Sequence, residues 1–159
     1  MPLSQLQVAA IAAHLAACAG GGSGGDDGRC GATEAAVERV IDGDTIELAG
    51  GERIRYLMVN TPETTGGKHE CYGANAATFN TDLVLGKQVE LRHDVECRDA
   101  FGRTLAYVTV AGQEVNARLI ERGYACVLHI PPNGDDRADE FAALEDAARL
   151  GKRGLWGAC

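Results

Sequence analysis

Positive charge is scarce in this chain of 159 residues: 15 Lys and Arg face 23 Asp and Glu, and the formal net charge is -8. Sequence-independent binding to a polyanion depends mainly on neutralising phosphates, so this balance argues against tight, processive binding of nucleic acid. The acidic excess is local, because much of it lies at residues 135–146 and is explained as a solvated helix face. The composition therefore permits a small positive site on an acidic body.

A long hydrophobic run is also lacking, since the apolar stretch at residues 7–17 is too short to span a bilayer. It ends in Leu15-Ala-Ala-Cys18, which resembles a bacterial lipobox. We therefore expect residues 1–18 to form a signal peptide with Cys18 as the lipidated residue, and residues 19–34 to form a flexible Gly-rich tether. A signal peptide normally begins with Lys or Arg, but no such residue precedes Arg29. A plain secretory signal or a disordered tail therefore remains an alternative.

The cysteines lack the closely paired spacing of a zinc site. Besides Cys18 the chain has five, which are Cys30, Cys71, Cys97, Cys126 and Cys159. An exported domain with five thiols is expected to contain two disulfides and one spare cysteine. The pairing is left open by the sequence; a Cys30–Cys159 bridge is one possibility, and it would close a long loop.

Residue periodicity predicts five strands and three helices in a single domain spanning residues 35–159. The strands are expected at 35–41, 45–48, 53–59, 88–93 and 104–110, and the helices at 72–83, 116–123 and 137–150, with Asn116 capping the second helix. Three strands, a helix and two further strands are the element order of an OB fold. The fold class predicted is therefore α+β, a five-stranded Greek-key OB barrel with three helices.

Acids and arginines cluster at the ends of the predicted strands. They occur in Asp42-Gly-Asp44, Arg55, Asn60-Thr-Pro-Glu63 and Phe101-Gly-Arg103. Acids can hold a hard cation and deprotonate water, and guanidinium groups can clamp a phosphate that gains charge in a transition state. This combination of residue types points to phosphodiester hydrolysis.

In this order, the motifs closely resemble those of the staphylococcal nuclease (thermonuclease) family. Val115-Asn116, Arg122-Gly-Tyr-Ala125 and Trp156 continue the resemblance, which extends from about residue 35 to residue 157. It implies an exported, Ca²⁺-dependent nuclease that hydrolyses DNA and RNA and leaves 3'-phosphate ends. A monomer is expected, held at a membrane by the lipid if Cys18 is processed.

The resemblance also implies a role for each residue of the site. The catalytic residues would be Arg55, Glu63 as general base, and Arg103; the Ca²⁺ ligands would be Asp44, Asn60 and the Thr61 carbonyl, with Asp42 ordering the site. Asn60 stands where the family usually has an aspartate, so weaker metal binding is expected. Phe101 and His129 would contact the substrate base, although Phe101, His129 and Pro131 replace three tyrosines of the family.

Two other functions compete with hydrolysis. The first is a catalytically weak or silent OB-fold module that only binds nucleic acid, and the second is an adhesion or scaffold domain anchored in the cell envelope. A silent copy would be expected to lose the two arginines and the glutamate, whereas this chain retains Arg55, Glu63 and Arg103. The sequence therefore favours the nuclease.

Overall fold

The computed structural model describes residues 28–159. It contains eight strands, which are β1 (Glu34–Val40), β2 (Thr45–Leu48), β3 (Arg53–Tyr56), β4 (Met58–Asn60), β5 (Gln88–Arg92), β6 (Thr104–Val110), β7 (Gln113–Glu114) and β8 (Cys126–Leu128). The helices are α1 (Gly73–Val84), α2 (Val115–Glu121), α3 (Ala138–Leu150) and the short α4 (Leu155–Ala158), with a 3₁₀ turn at Asp135–Arg137 before α3.

Five strands form a closed barrel in the order β3-β2-β1-β5-β6. The neighbours in this order are antiparallel, and a parallel pairing of β3 with β6, in which Arg55 faces Leu105, closes the circle. Closure leaves no free barrel edge. The predicted α+β class and the five-stranded OB barrel with three helices are confirmed.

Alternating apolar residues of the barrel strands fill the interior. Val37, Ile46 and Ile54 are at most 2% exposed, and α2 and α3 cover the barrel with side chains such as Leu119 and Phe141, which are fully buried. Because a strand directs alternate side chains to opposite faces, the residues between the buried ones point toward the surface. Arg53 and Arg55 flank Ile54 in this way, so both side chains point away from the barrel interior; Arg53 is exposed, whereas Arg55 is largely covered by its neighbours.

The third strand is shorter than the predicted 53–59. The backbone leaves the barrel after Leu57, whose nitrogen still donates to the Ala106 carbonyl at 3.0 Å. Met58 adopts a positive φ of 63°, and β4 then pairs with β8 instead of a barrel strand. Residues 53–59 are suited to a strand throughout, so the pattern could not show where the chain changes partner.

Asn116 does not cap α2, contrary to the prediction. The helix has Glu114 at its N-cap position, and the Asn116 side chain is fully buried. Its amide nitrogen donates to the carbonyls of Leu57 and Ala106, while its oxygen accepts from the Val108 backbone nitrogen at 2.9 Å. The residue therefore satisfies backbone groups at the point where β3 gives way to β4.

Among residues 28–159, two disulfides and one free cysteine are present, as expected. The bridges are Cys30–Cys97 and Cys71–Cys159, whereas Cys126 is free and partly buried. A Cys30–Cys159 bridge is therefore wrong, because each of these residues lies beside a different partner in the folded barrel.

Several residues before position 35 contact the barrel. Cys30 is buried and bridged, and the Leu91 backbone nitrogen donates to the Thr33 carbonyl at 2.7 Å, so residues 30–33 are attached to the barrel. The predicted signal peptide, the lipidation of Cys18 and most of the tether lie outside the described residues. Within residues 28–159, no helix has the length and apolar character needed to cross a membrane.

Candidate active site

The Asp42-Gly-Asp44 turn between β1 and β2 is packed directly against Thr61. The Asp44 backbone nitrogen donates to Asp42 Oδ1 at 3.0 Å, which fixes the turn locally. A Cβ at Gly43 would lie 2.6 Å from Thr61 Cγ2, so only glycine permits this approach. The Thr61 backbone nitrogen and hydroxyl can then both donate to Asp44 Oδ2, at 2.8 and 3.0 Å.

Arg55 lies on the other side of the Asp44 carboxylate. Its Nε is 3.3 Å from Asp44 Oδ1, and the two side chains are only 11% and 8% exposed. Its Nη1 donates to the carbonyls of Tyr56 and Val59 at 2.7 and 2.6 Å, and Nη2 lies 3.5 Å from Asn60 Oδ1. The structure thus brings together residues of three separate motifs: Asp44, Arg55 and the adjacent pair Asn60 and Thr61.

Asn80 on α1 supports the turn from inside. Its amide nitrogen donates to the Asp42 carbonyl at 3.0 Å, and its oxygen accepts from the Tyr56 hydroxyl at 2.8 Å. Asn80 is fully buried and Tyr56 is 1% exposed, so these bonds have no competition from solvent. Asn80 was not predicted as a site residue; the feature that indicated it is its position on the apolar face of the predicted helix, four residues after Ala76.

The site concentrates negative charge around Asp42. Burial, together with the nearby charge of Asp44, raises the pKa of Asp42 to about 6, and Glu63 contributes a smaller electrostatic effect in the same direction. Glu63 is therefore within electrostatic reach of the turn. The local excess of carboxylate charge is the environment in which a bound cation is stabilised.

Glu63 follows Pro62 and is held by the loop that it begins. Its Oε1 accepts hydrogen bonds from the Thr65 hydroxyl at 2.5 Å and from the backbone nitrogens of Thr65 and Thr64 at 2.8 and 3.0 Å. The Thr65 hydroxyl bond is the largest of the effects that lower the pKa of Glu63. The side chain is therefore ionised at neutral pH, and within the described part of the chain its neighbours leave Oε2 free to accept from water.

Arg103 is oriented by Asp99, which the sequence reasoning did not select. Arg103 Nε lies 2.7 Å from Asp99 Oδ2, and the backbone nitrogens of Phe101 and Arg103 donate to Asp99 Oδ1. The spacing in the sequence could have indicated this role, because an aspartate at the start of a tight turn commonly accepts hydrogen bonds from backbone nitrogens two to four residues later. The Arg103 guanidinium lies 5.5 Å from the centre of the Phe101 ring, which is 85% exposed.

A pocket of about 470 Å³ joins Arg55, Arg103 and Phe101. Its apolar wall includes Leu128 and Ile130, but His129 is not among the lining residues. The His129 ring instead lies 2.8 Å from Asp135 Oδ1. Successive residues of extended chain point to opposite sides, which explains why the neighbours of His129 face the pocket and His129 does not.

The donors near the turn are oxygens of three kinds, namely the Asp44 carboxylate, the Asn60 amide and the Thr61 main-chain carbonyl. Hard cations such as Ca²⁺ accept all three. Within residues 28–159, no group of three or more His, Cys, Asp and Glu side chains is arranged to hold a metal. Oxygen donors of these kinds suit a hard cation that takes further ligands from water or substrate, and they do not suit a zinc site.

Comparison with known proteins agrees with this arrangement. A family model described as "Staphylococcal nuclease homologue" matches residues 53–158. Endonuclease YncB of Bacillus subtilis (strain 168) is 36% identical over 127 residues, covering 76% of this chain and 60% of YncB. SPbeta prophage-derived endonuclease YokF of the same organism is 34% identical over 127 residues, covering 76% of this chain and 43% of YokF.

A thermonuclease of Staphylococcus intermedius is 39% identical over 118 residues, covering 71% of this chain and 67% of that protein. The chain thus spans only part of its relatives' length, 60% of YncB and 43% of YokF. The matched region contains Arg55, Glu63 and Arg103 and most of the barrel. The family model matches residues 53–158, the barrel is closed, and the relatives are 36% and 39% identical. The chain therefore belongs to the staphylococcal nuclease family.

Proposed function

We propose that this protein is a nuclease that hydrolyses phosphodiester bonds of DNA and RNA. The observation that carries the proposal is the meeting of Asp44, Arg55 and Thr61 beside the Asp42 turn, with Glu63 and Arg103 together lining an adjoining cleft. The names of the relatives, endonuclease and thermonuclease, support the same activity.

Calcium is the cofactor that the oxygen donors favour. Asp44, Asn60 and the Thr61 carbonyl would hold it, with Asp42 supporting the turn that carries Asp44. A cation bound there supplies positive charge that polarises a phosphoryl oxygen. Only one of the three donors is a carboxylate, so the affinity should be low, in the range of about 10⁻⁴ to 10⁻³ M or weaker that extracellular sites use.

The chain's own residues supply acid–base and electrostatic catalysis. The ionised Glu63 takes a proton from the attacking water through Oε2, a contribution of about 10²- to 10⁴-fold. Arg55 is held by two backbone carbonyls and Arg103 by Asp99, so both guanidinium groups are positioned before substrate arrives. Such preorganised donors stabilise charge that develops on the phosphoryl oxygens.

The expected products are a 3'-phosphate and a 5'-hydroxyl. The water oxygen bonds to phosphorus, the bond from phosphorus to the 5' oxygen breaks, and the leaving oxygen receives a proton from solvent. This route uses water as the nucleophile and does not need a ribose 2'-hydroxyl, which is why both DNA and RNA are proposed as substrates.

The test is digestion of plasmid DNA and of a structured RNA by the purified protein, with calcium and then with a chelator. Glu63→Gln is the catalytic control, because it keeps the shape of the side chain and removes its basicity. We expect cleavage that needs calcium and Glu63, with 3'-phosphate ends detected by phosphatase sensitivity. Absence of cleavage at high calcium, with retained nucleic-acid binding, would instead support the silent OB-fold module.

We also propose that the protein is exported and monomeric, with lipid on Cys18. The two disulfides support export, because such bridges persist in oxidising compartments. Mass spectrometry of the mature protein from a bacterial host should find a lipidated N-terminal Cys18, and Cys18→Ser should abolish the modification. Cleavage at another residue, or an unmodified Cys18, would reject the anchor, and light scattering of the released domain tests the monomer.

A further inference from the structure

Two cavities meet at the ridge formed by Phe101 and Arg103. The first is the pocket described above, and the second is an open cleft of about 560 Å³ that shares these residues. Arg98, Phe101 and Arg103 line both. The cleft, but not the pocket, is also lined by Glu63, so it begins at the proposed general base.

The two cavities differ in chemistry. The pocket has an apolar wall that includes Leu57, Leu105 and Ile130, as suits a base, whereas the cleft has no aliphatic side chain among its lining residues. The cleft is lined by Gly51, Glu52, Arg53, Glu63, Arg98, Phe101, Gly102 and Arg103. Polar and cationic groups on an otherwise acidic protein suit a phosphate.

Arg53 has unused donors at the cleft. Among the described residues, its side chain bonds only through Nε, which lies 3.2 Å from Glu47 Oε2, and the side chain is 56% exposed. Both Nη groups can therefore donate to an incoming anion. An arginine fork matches phosphate oxygens in a geometry that lysine lacks.

Arg98 is placed by contacts that leave part of its guanidinium exposed. Its Nη1 donates to the Gly102 carbonyl at 3.0 Å and its Nη2 lies 3.5 Å from Glu52 Oε1, with 55% of the side chain exposed. Glu52 is itself fixed, since Oε1 accepts from the Thr104 hydroxyl at 2.7 Å. The acid thus orients Arg98 while offsetting part of its charge.

We propose that Arg53 and Arg98 form a second phosphate subsite, which binds the nucleic-acid phosphate adjacent to the one being cleaved. This inference rests on the proposed nuclease function. A strand would lie across the ridge, with a base in the apolar pocket, the scissile phosphate at Arg103 and Glu63, and the next phosphate in the cleft. The subsite makes the enzyme favour substrates with more than one phosphodiester bond.

The chain provides a matched control in Arg39. Arg39 and Arg53 both contact Glu47 Oε2, and both side chains are 56% exposed. Arg39, however, is absent from the residues that line either cavity. Arg39→Gln and Arg53→Gln therefore remove the same charge from the same ion-pair cluster and differ in access to the cleft.

The experiment compares hydrolysis of a dithymidylate, which has a single phosphodiester, with hydrolysis of an octathymidylate. For the octamer, Arg53→Gln and Arg98→Gln should each lower kcat/KM by about three- to five-fold, the scale of an exposed ion pair. The fold-decrease in kcat/KM for the octamer should be at least twice the fold-decrease for the dinucleotide. Arg53→Lys should restore part of the kcat/KM lost for the octamer. The slope of log(kcat/KM) against log[salt] should decrease by about 0.7 for each arginine lost. Arg39→Gln should match the wild type.

Equal kcat/KM values of Arg53→Gln and Arg39→Gln for the octamer would overturn the subsite. Equal kcat/KM values of the wild type for the dinucleotide and the octamer would do the same. If the wild type cleaves neither, the nuclease proposal fails separately. Fluorescence anisotropy of a labelled octathymidylate then decides the subsite: weaker binding to Arg53→Gln than to Arg39→Gln supports it, and equal binding rejects it.

Discussion

Asn60→Asp is the substitution that most directly tests the metal site. Asn60 ends β4 and is exposed, and its Oδ1 lies 3.5 Å from Arg55 Nη2. It immediately precedes Thr61, whose nitrogen and hydroxyl donate to Asp44. The substitution keeps an oxygen at the same reach and adds one negative charge next to the proposed calcium position.

The size of the effect follows from two opposing interactions. Two unit charges about 4 Å apart interact by roughly 4 kcal/mol at an effective dielectric near 20, before desolvation is deducted. In the calcium-free protein the new carboxylate would pair with Arg55, and an exposed pair contributes about 0.2 to 1 kcal/mol. We expect a net gain of about 1.4 to 2.8 kcal/mol, which lowers the half-saturating calcium concentration by about 10- to 100-fold.

Calcium titrations of DNA cleavage and of heat release on binding would measure this shift. Asn75→Asp is the matched control, because Asn75 is an exposed residue of α1 and the substitution adds the same charge outside the site. Unchanged calcium dependence in Asn60→Asp would show that residue 60 is not a ligand. An equal shift in Asn75→Asp would assign the effect to total charge instead.

Four further variants test the catalytic and structural roles of individual residues and of one disulfide. Arg103→Ala should retain the fold by circular dichroism and lose activity on the scale of about 10³- to 10⁵-fold seen for phosphoryl-stabilising arginines in another reaction class, so a near-normal rate would remove Arg103 from the mechanism. Asp99→Asn should lower kcat by up to about 10²-fold by misplacing Arg103, without changing the calcium dependence; a normal kcat would show that Arg103 is positioned without this carboxylate. Asn80→Ala removes two buried hydrogen bonds and should lower the free energy of unfolding in urea by about 2 to 4 kcal/mol, whereas a loss below about 0.5 kcal/mol would contradict its supporting role. The double variant Cys71→Ser and Cys159→Ser opens a bridge of sequence separation 88 and should cost about 3 to 5 kcal/mol, and an unchanged unfolding midpoint would show that the bridge does not form.

Local periodicity was sufficient to predict the barrel strands and the three main helices. The strand at 45–48 agrees in both bounds, and the predicted helices at 72–83 and 137–150 differ from α1 and α3 by one residue at most. The short strands β7 and β8 and the helix α4 were missed. β8 pairs only with β4, and a three-residue strand contains too few residues for an alternating pattern to be visible.

The sequence by itself determined the residue types of the site and their places at strand ends, because those depend on motifs within a few residues of one another. Only the tertiary structure decided which of them meet. Barrel closure by β3 and β6 brings Arg55 on β3 close to Arg103, which immediately precedes β6. The packing of Gly43 on Thr61 joins Asp44 to the loop that contains Glu63.

The same distinction explains the errors at Asn116 and at the cysteines. Asn116 begins a helix in a position where a cap is plausible, yet its amide bonds backbone groups from β6 and from Leu57, 59 positions away. The bridges likewise join residues separated by 67 and 88 positions. A local pattern has no information about such distant partners, since they become neighbours only when the barrel closes and its helices pack.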